Sequence, residues 1–191
     1  MKAIIVSINP KWVAKILNGE KTIEIRKRFP KDYVGWVYIY CTKTKPRAIL
    51  TDKGVIVANT LTVGGNSQYK SGYSLSGEVV ARFWCDKVED FGSKYAYAMK
   101  DQHFYDILEG ACLTIRGLTE YAPFTHEQLI KGKTNLYAIH ITNLEIFDEP
   151  KDIREFKRCT EKVCIYSECH KYMHCLKSFT RAPQSWCYVK L

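Results

Sequence analysis

The sequence predicts an α+β domain built on a curled or barrel-like sheet, with one helix after the first strand and a second helical stretch later. Several short β-rich segments are spread along the chain, and only two regions have helical character. A doubly wound parallel sheet would need strands and helices to alternate regularly, and they do not. The chain has 191 residues, 46% of them hydrophobic and 26% charged, so it can bury a core and is not a disordered or collagen-like protein.

The first strand and helix are predicted from the opening twenty residues. Residues 2–8 contain a β-branched apolar run that favours a strand. Asn9 is a favourable N-cap, and Pro10 suits the first position of a helix. Apolar side chains then recur at helical spacing until Gly19, which is typical of a helix C-terminus; they are Val13, Ile16 and Leu17.

The next segment, residues 21–28, alternates between apolar and polar side chains, as a strand does. Ile23 and Ile25 share one face with Lys21. The other face carries Thr22, Glu24, Arg26 and Arg28. The sequence therefore predicts a strand with a charged face.

Later segments predict the remaining elements. Strands are expected at residues 35–42, 54–59, 78–88 and 136–147. Helical pieces are expected at residues 105–108 and 126–130, and an exposed loop at residues 61–76, which are rich in Gly and Ser.

Three aromatic residues, Trp36, Tyr38 and Tyr40, alternate along the strand at residues 35–42. Such a row can stack unpaired bases, or it can fill a core. We expect a core position because the segment is apolar on both faces.

The residues after about 150 predict a separate extension, which divides the chain into a domain at 1–150 and a basic, cysteine-rich segment at 151–191. We expect this segment to pack on the barrel, because Trp186, Tyr188 and Val189 are too apolar to remain in solvent. Its cysteines are close enough in sequence to surround one structural Zn²⁺ ion; the candidate ligands are Cys159, Cys164, Cys169 and Cys175. Free thiols are the main alternative, and disulfides are disfavoured in a reducing cytosol.

Charge is unevenly distributed along the chain. The formal net charge is +9, with about +8 in residues 1–47, −4 in residues 48–150 and +5 in residues 151–191. If both basic ends reach one face, they attract a phosphate backbone. A solvated lysine-rich surface is the alternative interpretation.

Residues 8–28 resemble the opening of an ASCH domain, a relative of the PUA-like RNA-binding barrels. The resemblance rests on a helix that ends at Gly19, on Lys21 and Thr22 after it, and on Glu24 and Arg26 along the next strand. Later landmarks are a strand opened by Gly and Glu at residues 77–84 and a closing strand at 137–142, so the resemblance covers roughly residues 3–147. It implies a small barrel with a cleft beside the first helix, suited to an RNA segment or a single nucleobase.

The resemblance makes RNA or a modified nucleotide the expected partner. Along a strand, alternate side chains lie about 7 Å apart on one face, so a carboxylate and a guanidinium there can read a base edge and hold a phosphate. The predicted contact residues are Lys11, Trp12, Lys21, Thr22, Glu24, Arg26 and Arg28. The alternative is a solvated strand face on which Glu24 pairs with Arg26 or Arg28.

The resemblance also carries an enzymatic alternative, because some small bacterial ASCH proteins are amidohydrolases that act on acylated cytidine. In those enzymes a Lys and a Thr of this segment work with a Glu from the later helical region. Lys21 matches the Lys, Glu24 stands where the Thr would be, and Glu109 is matched to the distal Glu. We expect binding rather than catalysis because of the missing Thr.

A third hypothesis makes the cysteine-rich segment an adaptor that binds another protein. The chain has no apolar run long enough to span a bilayer and no signal peptide at its start. We therefore expect a cytoplasmic protein with no membrane partner, with structural zinc as the one candidate cofactor.

Overall fold

The structure is a computed structural model that describes residues 2–59, 72–92, 101–123, 128, 135–159 and 176–190. The strands among these residues are β1 (Lys2–Ile8), β2 (Ile23–Arg26), β3 (Gly35–Cys41), β4 (Arg47–Thr51), β5 (Gly54–Ala58), β6 (Tyr73–Ser74), β7 (Val79–Cys85), β8 (Val88–Asp90), β9 (Tyr137–His140), β10 (Thr142–Lys151), β11 (Lys157–Cys159), β12 (Leu176–Ser178) and β13 (Trp186–Lys190). The α-helices are α1 (Pro10–Leu17), α2 (Gln102–Gly110) and α3 (Ile115–Tyr121), and Ile153–Glu155 forms a 3₁₀ turn. Residues 1–17, 35–83 and 144–191 form one compact unit, and residues 18–34 and 84–143 form a second.

The first unit is built on a seven-stranded sheet with the strand order β10-β7-β3-β1-β13-β11-β12. Strand β1 lies inside this sheet, parallel to β3 on one side and antiparallel to β13 on the other. Six of its seven residues are buried because both faces are covered. The last strand of the described chain is therefore a direct neighbour of the first.

One face of this sheet carries an aromatic core. Tyr38 and Tyr40 are buried there together with Phe156 and Phe179, and Trp36 packs against them at the margin. The rings of Tyr38 and Phe156 meet edge to face, with centroids 5.1 Å apart. The expectation that the β3 aromatics belong to the core is confirmed.

Helix α1 belongs to the first unit and packs against β4 and β5. Its start is as predicted: the side chain of Asn9 accepts a hydrogen bond from the backbone N–H of Lys11 at 3.1 Å. Strands β5, β4 and β6 form a small sheet in this order. Strand β4 was not predicted, because its five residues follow a proline and show no extended alternation.

The second unit consists of the sheet β2-β9-β8 and helices α2 and α3. Both helices bury apolar side chains against the inner face of β2. The core comprises Ile23, Ile25, Phe91, Phe104, Ile107, Leu108, Ala111, Leu118, Ala122, Leu136 and Ala138.

Three strand predictions differ from the structure in their bounds. The segment at 136–147 is two strands, β9 and β10, and Asn143 near the break has a positive φ of 45°. The segment at 78–88 likewise divides into β7 and β8. The strand predicted at 21–28 is limited to Ile23–Arg26.

The fold class is confirmed as α+β with mostly β structure. The described strands form three sheets and do not close into a single barrel. Closure fails among these residues because β2, β8 and β9 pair with one another in a sheet of their own.

The extension predicted at 151–191 is described at residues 151–159 and 176–190. Its strands β11, β12 and β13 belong to the seven-stranded sheet, with β13 against β1. Of the candidate zinc ligands, Cys164, Cys169 and Cys175 lie outside the described residues, as does the side chain of Cys159. Within the described part of the chain, no three His, Cys, Asp or Glu side chains are grouped as metal ligands.

Two further predictions concern segments that lie largely outside the described residues. Residues 60–71 of the predicted loop and all but residue 128 of the predicted helix at 126–130 are not described. Among the residues that are, no helix has the length and apolar character needed to cross a bilayer.

Candidate functional site

The side chain of Lys21 is buried at the end of helix α2. It is 3% exposed, and its ammonium group donates hydrogen bonds to the carbonyl oxygens of Ile23, at 2.6 Å, and Ala111, at 2.9 Å. Ala111 is the C-cap of α2, where backbone carbonyls lack helical partners and the helix dipole is negative. Lys21 thus supplies a positive charge where the helix favours one.

Glu24 and Arg26 lie beside this lysine. The Glu24 carboxylate is 3.5 Å from the Lys21 ammonium through Oε2 and 2.9 Å from Arg26 Nε through Oε1. The Nε–H of Arg26 is not aligned with that oxygen, so this contact is an ion pair without a hydrogen bond from Nε. Their side chains are only 9% and 10% exposed. We call Lys21, Glu24 and Arg26 the buried ion cluster.

The pairing of β2 fixes the positions of these side chains. In the antiparallel register with β9, Glu24 is opposite Ile139 and Arg26 is opposite Tyr137. Ile23 and Ile25 point into the core on the other face. Before the strand begins, the N–H of Thr22 donates to the Gly110 carbonyl at 2.8 Å and ties the segment to α2.

The cluster contains two cations and one carboxylate while Lys21 is protonated. Burial of a charge is costly unless an opposite charge or dipoles compensate it. Burial lowers the pKa of Lys21, although the nearby Glu24 carboxylate opposes this effect. Two neighbouring cations of low exposure suit contact with an anionic group.

Two residues around the cluster were not predicted. The Tyr121 hydroxyl donates to the Ile25 carbonyl at 3.2 Å, and burial raises its pKa. The Cys112 thiol donates to the Glu20 carbonyl at 3.2 Å, from a residue with a positive φ of 53°. Both are remote in sequence from β2, and no local pattern marks them.

The charged face of β2 is not the open face that alternation suggested. Glu24 does pair with Arg26, as in the solvated alternative, but the pair is buried. The prediction that Lys21 shares the face of Ile23 is wrong. Lys21 precedes the strand, and its ammonium group lies beside Glu24, on the other face. Side chains alternate between two faces only where the backbone has the extended geometry of a strand.

The other predicted contact residues are more exposed. Thr22 and Arg28 flank the cluster in sequence and are exposed. Lys11 and Trp12 belong to the first unit, where the Lys11 ammonium lies 4.9 Å from the centre of the Trp12 ring. Glu109 is exposed in the last turn of α2.

A second polar cluster of the same unit centres on Glu89. Its carboxylate is 2.8 Å from His103 Nε2 and 2.5 Å from His140 Nε2, and the Lys87 ammonium is 2.9 Å away. Burial by itself would raise the pKa of Glu89, but hydrogen bonds from these three side chains outweigh it and lower the pKa to about 2. His140 is thus a partly buried histidine with a carboxylate partner.

Comparison with known proteins identifies a fold but no relative in sequence. No family model matches the chain, and no curated protein matches it. Solved structures do: an ASCH protein from Zymomonas mobilis has a TM-score of 0.52 at 12% identity, over 98% of this chain and 87% of that one. A Tyr-to-Phe variant of that protein gives 0.51 at 12% identity over 100% and 91%, and a Ser-to-Ala variant gives 0.51 at 13% identity over 98% and 88%.

Proposed function

We propose that this chain, which has an ASCH-like fold, is an RNA- or modified-nucleotide-binding module. Its contacts would centre on the buried ion cluster, with Thr22 and Arg28 beside it. The observation that carries the proposal is the arrangement of two cations around one carboxylate, which Lys21, Glu24 and Arg26 hold at about 10% exposure or less.

Each member of the cluster has a different proposed role. Two protons of the Lys21 ammonium are directed to backbone carbonyls and the third side of the group faces Glu24, which suits a positioning role. Glu24 holds Arg26 in place. The Arg26 guanidinium has further N–H donors besides Nε, and their fork matches a phosphate or the edge of a guanine.

The composition of the flanking segment supports an anionic ligand. Lys27 and Arg28 follow β2 directly, and both are exposed. Exposed cations around a partly desolvated arginine increase the local concentration of a polyanion, and this effect weakens as salt rises.

The test is the affinity for a fluorescently labelled single-stranded RNA, measured as a function of salt. Arg26→Gln should weaken binding about tenfold or more, because a charge-assisted hydrogen bond is lost. Arg116→Gln is the matched control: it removes one positive charge from the same unit, but Arg116 is 89% exposed and pairs with Glu120.

Because Arg26 is paired and buried, its replacement is expected to lower stability as well as affinity, so the thermal unfolding midpoint of each variant is measured alongside. Arg26→Lys keeps the charge without the fork and should restore stability more than affinity. If Arg26→Gln remains folded and binds RNA as well as the Arg116→Gln control does, the assignment of the cluster is rejected.

One observation favours amide hydrolysis as a second candidate. Burial lowers the pKa of Lys21 beside a carboxylate, and perturbed groups of this kind are common in active sites. Lys21 and Glu24, with Glu109, would then activate a water molecule against an N-acylated nucleoside. Incubation with a panel of N-acylated nucleosides tests this, and turnover no greater than that of Glu24→Gln would exclude it.

A further inference from the structure

Three lysines form a row across the seven-stranded sheet. In the antiparallel registers, Lys2 is paired with Lys190, and Lys190 is paired with Lys157. Directly paired residues project from the same face of a sheet, and neighbouring strands are about 5 Å apart, so the three side chains share a strip about 10 Å wide. We call Lys2, Lys157 and Lys190 the lysine row.

The register of the row contains no acidic residue. Beyond Lys157 the next position across the strands is Ser178, whose hydroxyl accepts a hydrogen bond from the Lys157 ammonium at 2.7 Å. The row therefore places three cations side by side, and such an arrangement attracts the phosphates of a polyanion.

Aromatic side chains continue the same face. Tyr188 and Trp186 are two and four residues from Lys190 along β13, and they lie opposite Ile4 and Val6 of β1. Both rings are half-buried and meet edge to face, with centroids 5.5 Å apart. The Lys2 ammonium lies 3.9 Å from the centre of the Tyr188 ring, so the row and the aromatic pair form one continuous surface.

The opposite face of the same strands has a different character. Ala3, Ile5, Cys187 and Val189 are buried there in the core of the unit. The face of the lysine row is itself covered at Ile4 and Val6 of β1, so the cations and the half-buried rings lie along its margin. Cations beside aromatic rings also suit a membrane interface or an acidic protein. Single-stranded RNA is preferred because its bases stack on ring faces and because it is the ligand of the proposed function.

We infer that the lysine row, with Trp186 and Tyr188, is a second contact surface for single-stranded RNA, which binds its phosphates at the lysines and stacks a base on the aromatic pair. The ligand class rests on the proposed function. The surface itself does not depend on the buried ion cluster.

The experiment uses the full chain and a labelled oligouridine whose affinity is measured between low and physiological salt. Each phosphate contact to a single strand contributes about 0.7 to the slope of log affinity against log salt. The Lys157→Gln/Lys190→Gln variant should therefore reduce that slope by about 1.4. Equal slopes in this variant and the unmodified protein would overturn the inference.

The matched control is Arg158→Gln/Lys177→Gln. These two exposed residues pair directly with each other on the same strands, in the register adjacent to the lysine row and on the other face. The control removes the same charge from the same strands and should leave the slope nearly unchanged. If the control reduces the slope as much as the row variant does, the reduction reflects net charge alone and the lysine row is not a binding site.

Stacking is measured as quenching of tryptophan fluorescence by oligouridine, with Trp186→Phe identifying the contribution of that ring. We expect quenching by RNA that Trp186→Phe removes. Heparin and vesicles containing phosphatidylserine are the other ligands: if they bind with the same dependence on the lysine row and RNA causes no quenching, the assignment to RNA is overturned.

The same assay separates this inference from the proposed function. If Arg26→Gln weakens binding and the row variant does not, the inference fails and the buried ion cluster stands. If the row variant weakens binding and Arg26→Gln does not, the second surface stands without the first.

Discussion

At the scale of single residues, the surroundings of Lys21 offset only part of the cost of burying its charge. Its ammonium has two carbonyl acceptors and a carboxylate near it, and one of the carbonyls ends helix α2. Removing the side chain would leave Glu24 with Arg26 as its charge partner in the cluster. The geometry of the buried ion cluster therefore depends on whether Lys21 is protonated.

The lowered pKa of Lys21 predicts how stability depends on pH. Between its folded-state pKa and the ordinary value of 10.5, the unfolded chain binds more protons than the folded chain at this position. The contribution of Lys21 to the free energy of unfolding therefore rises with pH in that window. In Lys21→Met this contribution is absent.

The measurement is the difference in free energy of unfolding between the unmodified protein and Lys21→Met, followed by urea denaturation from pH 7 to 10.5. The difference should increase in favour of the unmodified protein as pH rises, by up to about 1.4 kcal/mol per pH unit. Groups that titrate in both proteins, such as the buried thiols, cancel in the difference. Lys177→Met, at an exposed position, is the control; a pH-independent difference for Lys21→Met would contradict the prediction.

At the scale of elements, the contact of α2 with β2 positions the buried ion cluster. Gly110, the last residue of α2, approaches the strand so closely that an added Cβ would be 2.9 Å from Ile23 Cδ1 and 3.0 Å from Thr22 Oγ1. Ile23 is buried in the core and has little room to move. The glycine is required here for its size.

Gly110→Ala should therefore destabilise the protein by about 1–3 kcal/mol through overpacking. Gly117→Ala provides the comparison, since its Cβ would meet Thr114 Oγ1 at 3.5 Å and Leu113 Cδ2 at 3.6 Å, which are ordinary contacts. In the first turn of α3 the alanine should stabilise by up to about 0.5–1 kcal/mol. Thermal or urea unfolding of both variants checks the prediction, which fails if the two changes have the same sign.

The contrast between β1 and β2 shows what a strand pattern reveals. The apolar run of β1 predicted a strand with the bounds Lys2–Ile8, and this is confirmed. The alternation of β2 located the strand but not its burial, because charged side chains on one face are typical of a solvent-exposed strand. Only the contact with Ala111, 90 residues away, explains why Lys21 is buried, and no local pattern contains it.

At the scale of the whole molecule, the sheet of the first unit depends on β13. Val189 is fully buried and Cys187 nearly so, and both lie beside β1. Without β13 the backbone groups of β1 would lose their antiparallel partner, and the buried strand would become an apolar edge.

Removal of residues 176–191 should therefore abolish cooperative folding and cause aggregation, and not merely remove a tail. Solubility, circular dichroism and the thermal unfolding transition measure this outcome. Lys190→Gln, which keeps the strand intact, should unfold like the unmodified protein. A truncated chain that remains soluble with an unchanged transition would show that β13 is dispensable.

The overall architecture was predictable only in part. The α+β class, the early helix and the resemblance to ASCH domains rest on short local patterns, and the fold comparison confirms them. The division of the strands among three sheets follows from pairings between distant segments, such as β1 with β13 and β2 with β9. Pairings of this kind leave no periodic signal in the sequence.

The position of β13 beside β1 also bears on biosynthesis. As the ribosome elongates the chain, β1 emerges early, but its antiparallel neighbour is made only after the intervening strands and helices. Until then β1 presents an apolar, incompletely bonded backbone to other nascent chains, a condition that chaperones relieve. Pauses in translation that delay the synthesis of β13 should therefore lower the yield of native protein.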